Sequence, residues 1–485
     1  MDIYFSDFFG VSPKILDKYG AFNISLINDL PLFVDPFLLF NSKKPEYKKQ
    51  HDKIIEYLRF LRDKSTDVNL DKGLIQSWYL FPEVKQNWLG FSKVGNSGAG
   101  LREDFALALH KNLHAIFTNF GAEKVTHGGH LEKLCLIKEG VGRDKISDFT
   151  TNLIKDYLLN FTQEFAKKNI APNLRKTVAI NKASFNYDTE TWESNLFDLP
   201  FHSGNYVLLT PKDILTKDEL WINKPDLYND FQRIPSSIPN EQLRSQINNY
   251  FRSLLPKRPK SQDYKSATSM VINKFPEILD YYIRYKEDNG NQAVNISSEK
   301  VVFAERQYIQ QIKQLSDALR EQSSFYESSG KTHQEAMARV RFLKDVIENK
   351  DGYRYFYMDG QPIERESDLQ IMYRLTWFAS NLDVNREVNN GRGPVDFKVS
   401  EGSKDSTLVE FKLAKNTQLE RNLQNQVEIY KKASGSQFAI KVILYFTNRE
   451  LLKIKNILQR LKLSDDSNIV LIDARRDNKP SASKA

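Results

Sequence analysis

The sequence predicts a multidomain α/β protein: an N-terminal α/β domain (residues 1–255), a helical connector (256–350), a C-terminal domain of mixed α/β type (351–475) and a disordered tail (476–485). Three observations carry this reading. The chain has 485 residues, more than one hydrophobic core normally serves. Between residues 264 and 349 apolar residues recur at helical spacing, behind the basic, proline-broken stretch Leu255-Pro256-Lys257-Arg258-Pro259-Lys260-Ser261. Past residue 390 the period switches to two, as it does in half-buried strands.

Composition narrows the functional classes. The net charge of +8 is compatible with a polyanionic partner without requiring one. The one cysteine, Cys135, rules out an intrachain disulfide and fits a reducing cytosol. No apolar run approaches the length of a membrane span, and Met1-Asp2-Ile3-Tyr4-Phe5-Ser6-Asp7 has neither a basic leader region nor a cleavage signal. The expectation is a cytoplasmic protein with no membrane partner.

In the N-terminal part, residues 28–39 read as a strand with a proline turn, Asp29 and Asp35 serving as turn caps. Ile54, Ile55, Leu58 and Leu61 predict a helix over 48–64. The glycine-rich stretch 90–100 lacks Gly-Lys-Ser/Thr, so it is no Walker A loop. It reads as a connector into a helix over 101–120. His110 and His114 have an i, i+4 spacing that suits a metal, near His127, His130 and Cys135. Lys111, however, occupies the place of the glutamate in a His-Glu-x-x-His site, so surface and turn roles are expected. Residues 131–138 read as a strand. A long helix over 149–168 follows, capped by Ser147 with Asp148 at its positive end; Asp144 and Asp148 are read as capping groups rather than a second site. Tyr206-Val207-Leu208-Leu209-Thr210-Pro211 reads as a buried strand, with a short helix from Lys212.

The connector should contain helices over 264–285, 297–323 and 333–349. The last carries Met337, Val340, Leu343 and Ile347 as a stripe, with Arg339, Arg341 and Lys344 mostly off it. Such stripes offer material for a homodimer interface.

The chemistry concentrates near the C-terminus. Gly393-Pro394-Val395-Asp396-Phe397-Lys398-Val399 and Thr407-Leu408-Val409-Glu410-Phe411-Lys412-Leu413 alternate as strands around the polar turn 400–406, which predicts a hairpin. Val409, Phe411 and Leu413 share one face; Glu410 and Lys412 share the other. Two carboxylates suit a hard cation, and an adjacent ammonium suits phosphate chemistry. Upstream, Glu364-Arg365-Glu366-Ser367-Asp368 opens a helix to about residue 380. Downstream, Gln426 and Tyr430 stand at i, i+4 on one helix face, before the strand Ile440-Lys441-Val442-Ile443-Leu444-Tyr445-Phe446.

This last quarter resembles the PD-(D/E)xK nuclease superfamily. Asp396, then Glu410-x-Lys412 on the next strand, matches the signature, and Gln426-x-x-x-Tyr430 matches its RecB-like variant. Val395, not proline, immediately precedes the aspartate. The resemblance implies a restriction-endonuclease-like α/β/α domain with a central mixed sheet, and Mg²⁺- or Mn²⁺-dependent hydrolysis of DNA phosphodiesters, duplex favoured. It further implies metal ligation by Asp396, Glu410 and Glu366 (Glu364 the alternative), with Lys412 stabilising the transition state and Gln426 and Tyr430 positioning the strand or Lys412. Arg392, Lys415 and Arg421 flank the motif as phosphate contacts. By analogy with restriction-type relatives, an endonuclease in anti-phage defence is expected, with a phage-derived trigger or partner protein. A DNA repair or recombination nuclease, or a non-catalytic nucleic-acid-binding protein, is the alternative.

Overall fold

The computed structural model describes residues 3–67, 70–90, 106–107, 109–110, 113, 123–137, 141–321, 332–377, 397–401, 405–424 and 438–479. Side chains at 320–321, 374–377, 397–398, 400–401 and 405–406 are not described.

In the N-terminal half, β1 (Leu32–Val34) pairs antiparallel with β5 (Leu215–Lys217). Pro36 then starts a short helix (Pro36–Phe40), where residues 28–39 read as a strand. Asp35 caps this helix as expected, accepting from Phe37 N at 3.0 Å, and also from Trp221 N at 2.7 Å. Burial pushes its carboxyl up to about 6 against those two donors. Helix α1 (Pro45–Lys64) matches the expected one and buries Ile54, Ile55, Leu58 and Leu61.

Several expectations change here. The strand expected over 131–138 is not seen in the described residues 131–137: a helix spans Lys133–Ile137, and Leu134, Cys135 and Leu136 are all buried. A short apolar run buried on every side has no period to read. The helix expected over 149–168 is two, α2 (Arg143–Leu153) and α3 (Lys155–Asn169), broken at Ile154. Ser147 is not a cap but lies inside α2, where its Oγ accepts from Val34 N at 2.9 Å and ties α2 to β1. Of 206–211 only Tyr206 is in a strand (β4, Asn205–Tyr206). Leu208 N instead donates to Gln86 O and Leu209 N to Thr162 Oγ1, both at 2.9 Å.

Between these lies a hairpin of β2 (Arg175–Asn186) and β3 (Thr191–His202), for which the sequence carried no clear signal. Its tip rests on α1 through aromatic rings: Tyr57 of α1 meets Phe185 at 4.8 Å and Trp192 at 5.4 Å.

The connector is helical as expected, but the helix expected over 264–285 is two, Ser261–Lys274 and Ile278–Asp288, and the next begins at Gly290 rather than 297. Helices α4 (Gly290–Glu305) and α5 (Gln311–Glu321) are joined by a π-helical turn, Arg306–Gln310, and α6 (Thr332–Asn349) follows. These helices are knitted to both neighbours. Tyr4 donates to Tyr308 O, and Lys313 Nζ pairs with Asp7 at 2.7 Å. Tyr308 in turn donates to Asp368 Oδ1 at 2.6 Å. Met337, Val340, Leu343 and Ile347 are all buried, so this stripe is consumed within the chain rather than left for a second copy. Arg339 is likewise buried, beside Glu335, while Lys344, partly exposed, is held by Leu471 O and Glu348.

The C-terminal part opens with a two-residue hairpin, β6 (Tyr357–Met358) and β7 (Gln361–Pro362), and α7 (Glu366–Trp377). A four-stranded mixed sheet follows: β8 (Phe397–Glu401), β9 (Asp405–Leu413), β10 (Phe438–Tyr445) and β11 (Ile469–Asp473), in the order β11-β10-β9-β8. β8 and β9 are antiparallel; β9, β10 and β11 run parallel. One face carries Val409, Phe411, Leu413, Val442 and Leu444 into the main core, under α5, α6 and α7. The other carries Ile443 and Tyr445 beneath Leu419, Leu423 and helix α8 (Asn448–Arg460). At the expected disordered tail, Arg476 donates to Gly360 O and Lys479 to Glu348 O, while 480–485 lie outside the described residues.

On α2, burial pushes the Asp148 carboxyl up to about 8, with Asp144 and Glu83 adding to the shift. The unfolded carboxyl titrates near ~4, so between about pH 4 and 8 the folded chain holds the extra proton and loses stability as pH rises. Asp148→Asn should therefore raise Tm, and more at pH 8 than at pH 5. An equal gain at both pH values would show that Asp148 is not held protonated.

Candidate active site on the mixed sheet

Alternation along β9 puts Glu410 and Lys412 on the same face, away from the buried Val409 and Phe411. Lys412 Nζ lies 3.1 Å from Glu410 Oε1 and 3.6 Å from Glu366 Oε2. One ammonium thus joins a strand carboxylate to a helix carboxylate. Glu366 is the first residue of α7, where the helix's free N–H groups favour negative charge. Its Oε1 accepts from Leu413 N at 3.3 Å and Asn416 Nδ2 at 2.5 Å. The loop carrying Asn416 is pinned by Lys453 of α8, which donates to Ala414 O and Asn416 O. Glu364, the alternative helix ligand, is exposed and lines a different cavity, between α4 and the start of α7.

The sheet brings in one group that sequence reasoning missed. Lys441 of β10 stands opposite Glu410 in the parallel register, so it shares that face. It is buried and donates to Asn422 O at 3.1 Å and Leu423 O at 3.2 Å. Burial pulls its ammonium down to about 8, opposed by the charge of Glu410. A polar residue inside the apolar run 440–446 was the available signal, but only the register shows that its neighbour is Glu410.

Lys415 and Arg421 are exposed beside this cluster; Lys415 Nζ donates to Ile363 O at 3.3 Å. Asp396, Gln426, Tyr430 and Arg392 lie outside the described residues. Among the described residues, no group of three or more His, Cys, Asp or Glu side chains is placed to hold a metal. The cluster's donor chemistry still suits a hard cation: both carboxylates offer oxygen, and buried Glu410 Oε1 accepts no well-aligned hydrogen bond despite its ammonium neighbour. His114 lies outside the described residues, and the described histidines near Cys135 form no such centre. His130 is buried against Glu287 at 2.9 Å, and His127 N and Gly128 N also donate to Glu287.

The comparisons add boundaries rather than chemistry. Residues 10–223 match a family model described as Domain of unknown function (DUF8370), and residues 332–448 match one described as Domain of unknown function (DUF8371). The second span contains Glu366, Glu410, Lys412 and Lys441. No curated protein and no solved structure matches the chain. Among the described residues no helix is long and apolar enough to cross a membrane.

Removing one partner of a buried charge cluster leaves the others uncompensated. Lys412→Met should therefore cost about 3 kcal/mol in chemical denaturation. Adding Glu410→Gln should recover part of that loss. Purely additive costs in the double variant would show that the two side chains are not coupled.

Proposed function

We propose that the C-terminal part is a divalent-metal-dependent nuclease of restriction-endonuclease-like α/β/α type that hydrolyses DNA phosphodiesters. One observation carries the reading: a single buried ammonium, Lys412, lies between the carboxylates of Glu410 and Glu366 on one face of a mixed sheet. A purely structural salt bridge needs one carboxylate. A second, delivered from the N-terminus of a separate helix, fits a site that gathers oxygen ligands beside a cation for phosphate.

In this reading Glu410 and Glu366 hold Mg²⁺ or Mn²⁺, with Asp396 as the further ligand implied by the sequence resemblance. When bound, such a cation supplies Lewis acidity and an acidified water. Lys412 sets its charge against the phosphoryl oxygens as negative charge builds on them. Asn416 and Leu413 N keep Glu366 aimed at the cluster. Lys441 holds the helical turn at Asn422 and Leu423 and adds positive potential beneath Glu410. Arg421 and Lys415 lie on the exposed side, where phosphate contacts would position the duplex without reading sequence.

The test is incubation of the full chain with supercoiled plasmid in Mg²⁺, in Mn²⁺ and in EDTA. Cleavage is expected with either metal and not in EDTA. Glu366→Gln, at the less buried carboxylate, should lower the rate without unfolding the chain. Lys412→Ala should lower it by about 10²–10³-fold, compared at a temperature where circular dichroism shows it folded. Equal cutting by wild type and both variants would remove the site assignment. No cutting of duplex or single-stranded DNA in either metal would remove the activity.

A further inference from the structure

The cavity that Glu364 lines has a volume of about 700 Å³, the size of a site for a small organic molecule. It opens where the two halves of the chain meet. The end of β5 and the residue after it give Lys217 and Asp218, α4 gives Lys300 and Phe303, the β6–β7 hairpin gives Met358 and Pro362, and the approach to α7 gives Ile363 and Arg365. Met358 and Ile363 are buried and Phe303 half-buried, so the inner wall is largely apolar. Two large apolar side chains, Ile296 and Val302, stand exposed at its mouth, at 40% and 49%.

Most charges around this cavity are paired. Arg365 is taken by Asp218, and Arg306 bonds Asp359 at 3.0 Å. Asp368 accepts from the Tyr308 hydroxyl, which the π-helical turn brings inward. Lys217 is paired only at longer range. Its side chain is only 5% exposed, yet its ammonium donates no hydrogen bond among the described residues. The nearest carboxylate oxygens are 3.7 Å away on Asp368 and 4.0 Å away on Asp218. The rings of Phe303 and Tyr308 flank it, with centroids at 4.6 Å and 5.6 Å. A buried ammonium held only by such long ion pairs keeps donor capacity for an acceptor that comes closer. Lys300, half-buried on the same wall, adds a second cation.

We propose that this cavity is a binding site for a small organic anion with an aromatic or apolar body, whose acidic group accepts from Lys217 and Lys300 while the body lies against Phe303, Met358 and Ile363. The surroundings limit the ligand's charge. Asp218 and Asp368 stand beside Lys217, and Glu299 and Glu364 stand exposed at the rim, so a single negative charge is favoured over a polyanion. The inference uses no residue of the Glu366–Glu410–Lys412 cluster and stands whether or not that cluster cuts DNA.

The probes are 8-anilinonaphthalene-1-sulfonate and its uncharged counterpart N-phenyl-1-naphthylamine, titrated into the full chain and followed by fluorescence. The sulfonate should bind saturably at one site per chain. Lys217→Met should weaken it about tenfold or more and leave the uncharged probe unchanged. Val302→Trp, which fills the mouth from an exposed position, should weaken both. If Lys217→Met does not fold by circular dichroism, Lys300→Ala takes its place: weaker sulfonate binding supports the site, and unchanged binding overturns it. Equal sulfonate affinity in wild type and Lys217→Met, no saturable binding by wild type, or no effect of Val302→Trp would each overturn the proposal.

Discussion

Charge buried beside an apolar layer must be paired, and the pairing at Lys412 governs how three elements of the C-terminal part meet. The strand β9 cannot bury Phe411 on one face without carrying Lys412 on the other, because its side chains alternate. Lys412 then needs carboxylates within reach. Glu410 supplies one from the same strand and Glu366 supplies one from α7, which sets where the first turn of that helix sits against the end of β9. The backbone completes the arrangement, since Leu413 N and the Asn416 side chain both donate to Glu366.

The same constraint recurs elsewhere in the chain. Asp35 is buried and caps the Pro36–Phe40 helix while also accepting from Trp221 N, so one carboxylate joins β1 to a segment almost two hundred residues on. His130 and Glu287 pair in the interior, and the loop at His127 and Gly128 closes over the same carboxylate with its backbone N–H groups. In each case a polar group holds sequence-distant elements in one arrangement, which apolar packing alone specifies less strictly. Lys217 departs from the pattern: it is buried among aromatic rings, with carboxylates near but out of hydrogen-bonding range.

What could be read beforehand followed the strength of the periodic signal. Helix α1, the last connector helix and the strands around Glu410 have regular apolar spacing and form where expected, whereas the helix expected over 264–285 is two, Ser261–Lys274 and Ile278–Asp288, parted at Pro276. The β2–β3 hairpin gave little warning because most of its length is exposed or half-exposed, so polar and apolar residues do not alternate cleanly along it. Residues 131–138 misled for the opposite reason. Buried on nearly every side, the run Leu134-Cys135-Leu136 reads equally as strand or helix. The break at Ile154 lies inside a sequence that is helical on both sides, without glycine or proline to mark it.

The sequence by itself determined the parity of the C-terminal strands: Glu410 and Lys412 had to share a face, opposite Val409, Phe411 and Leu413, because a strand repeats every two residues. It also determined that an acidic helix start precedes them. Only the tertiary structure decided that Glu366 and not Glu364 stands beside Lys412: α7 begins at Glu366, and Glu364, two residues before it, lies on the wall of a different cavity. It likewise decided that Lys441 stands opposite Glu410, because the register of parallel strands joined by a long connection is set by packing and not by any local turn. The connector's apolar stripe was plain in the sequence, but whether it met another copy or its own sheet was not. The stripe has no preference between apolar surfaces, and the chain's own sheet is always the nearer one.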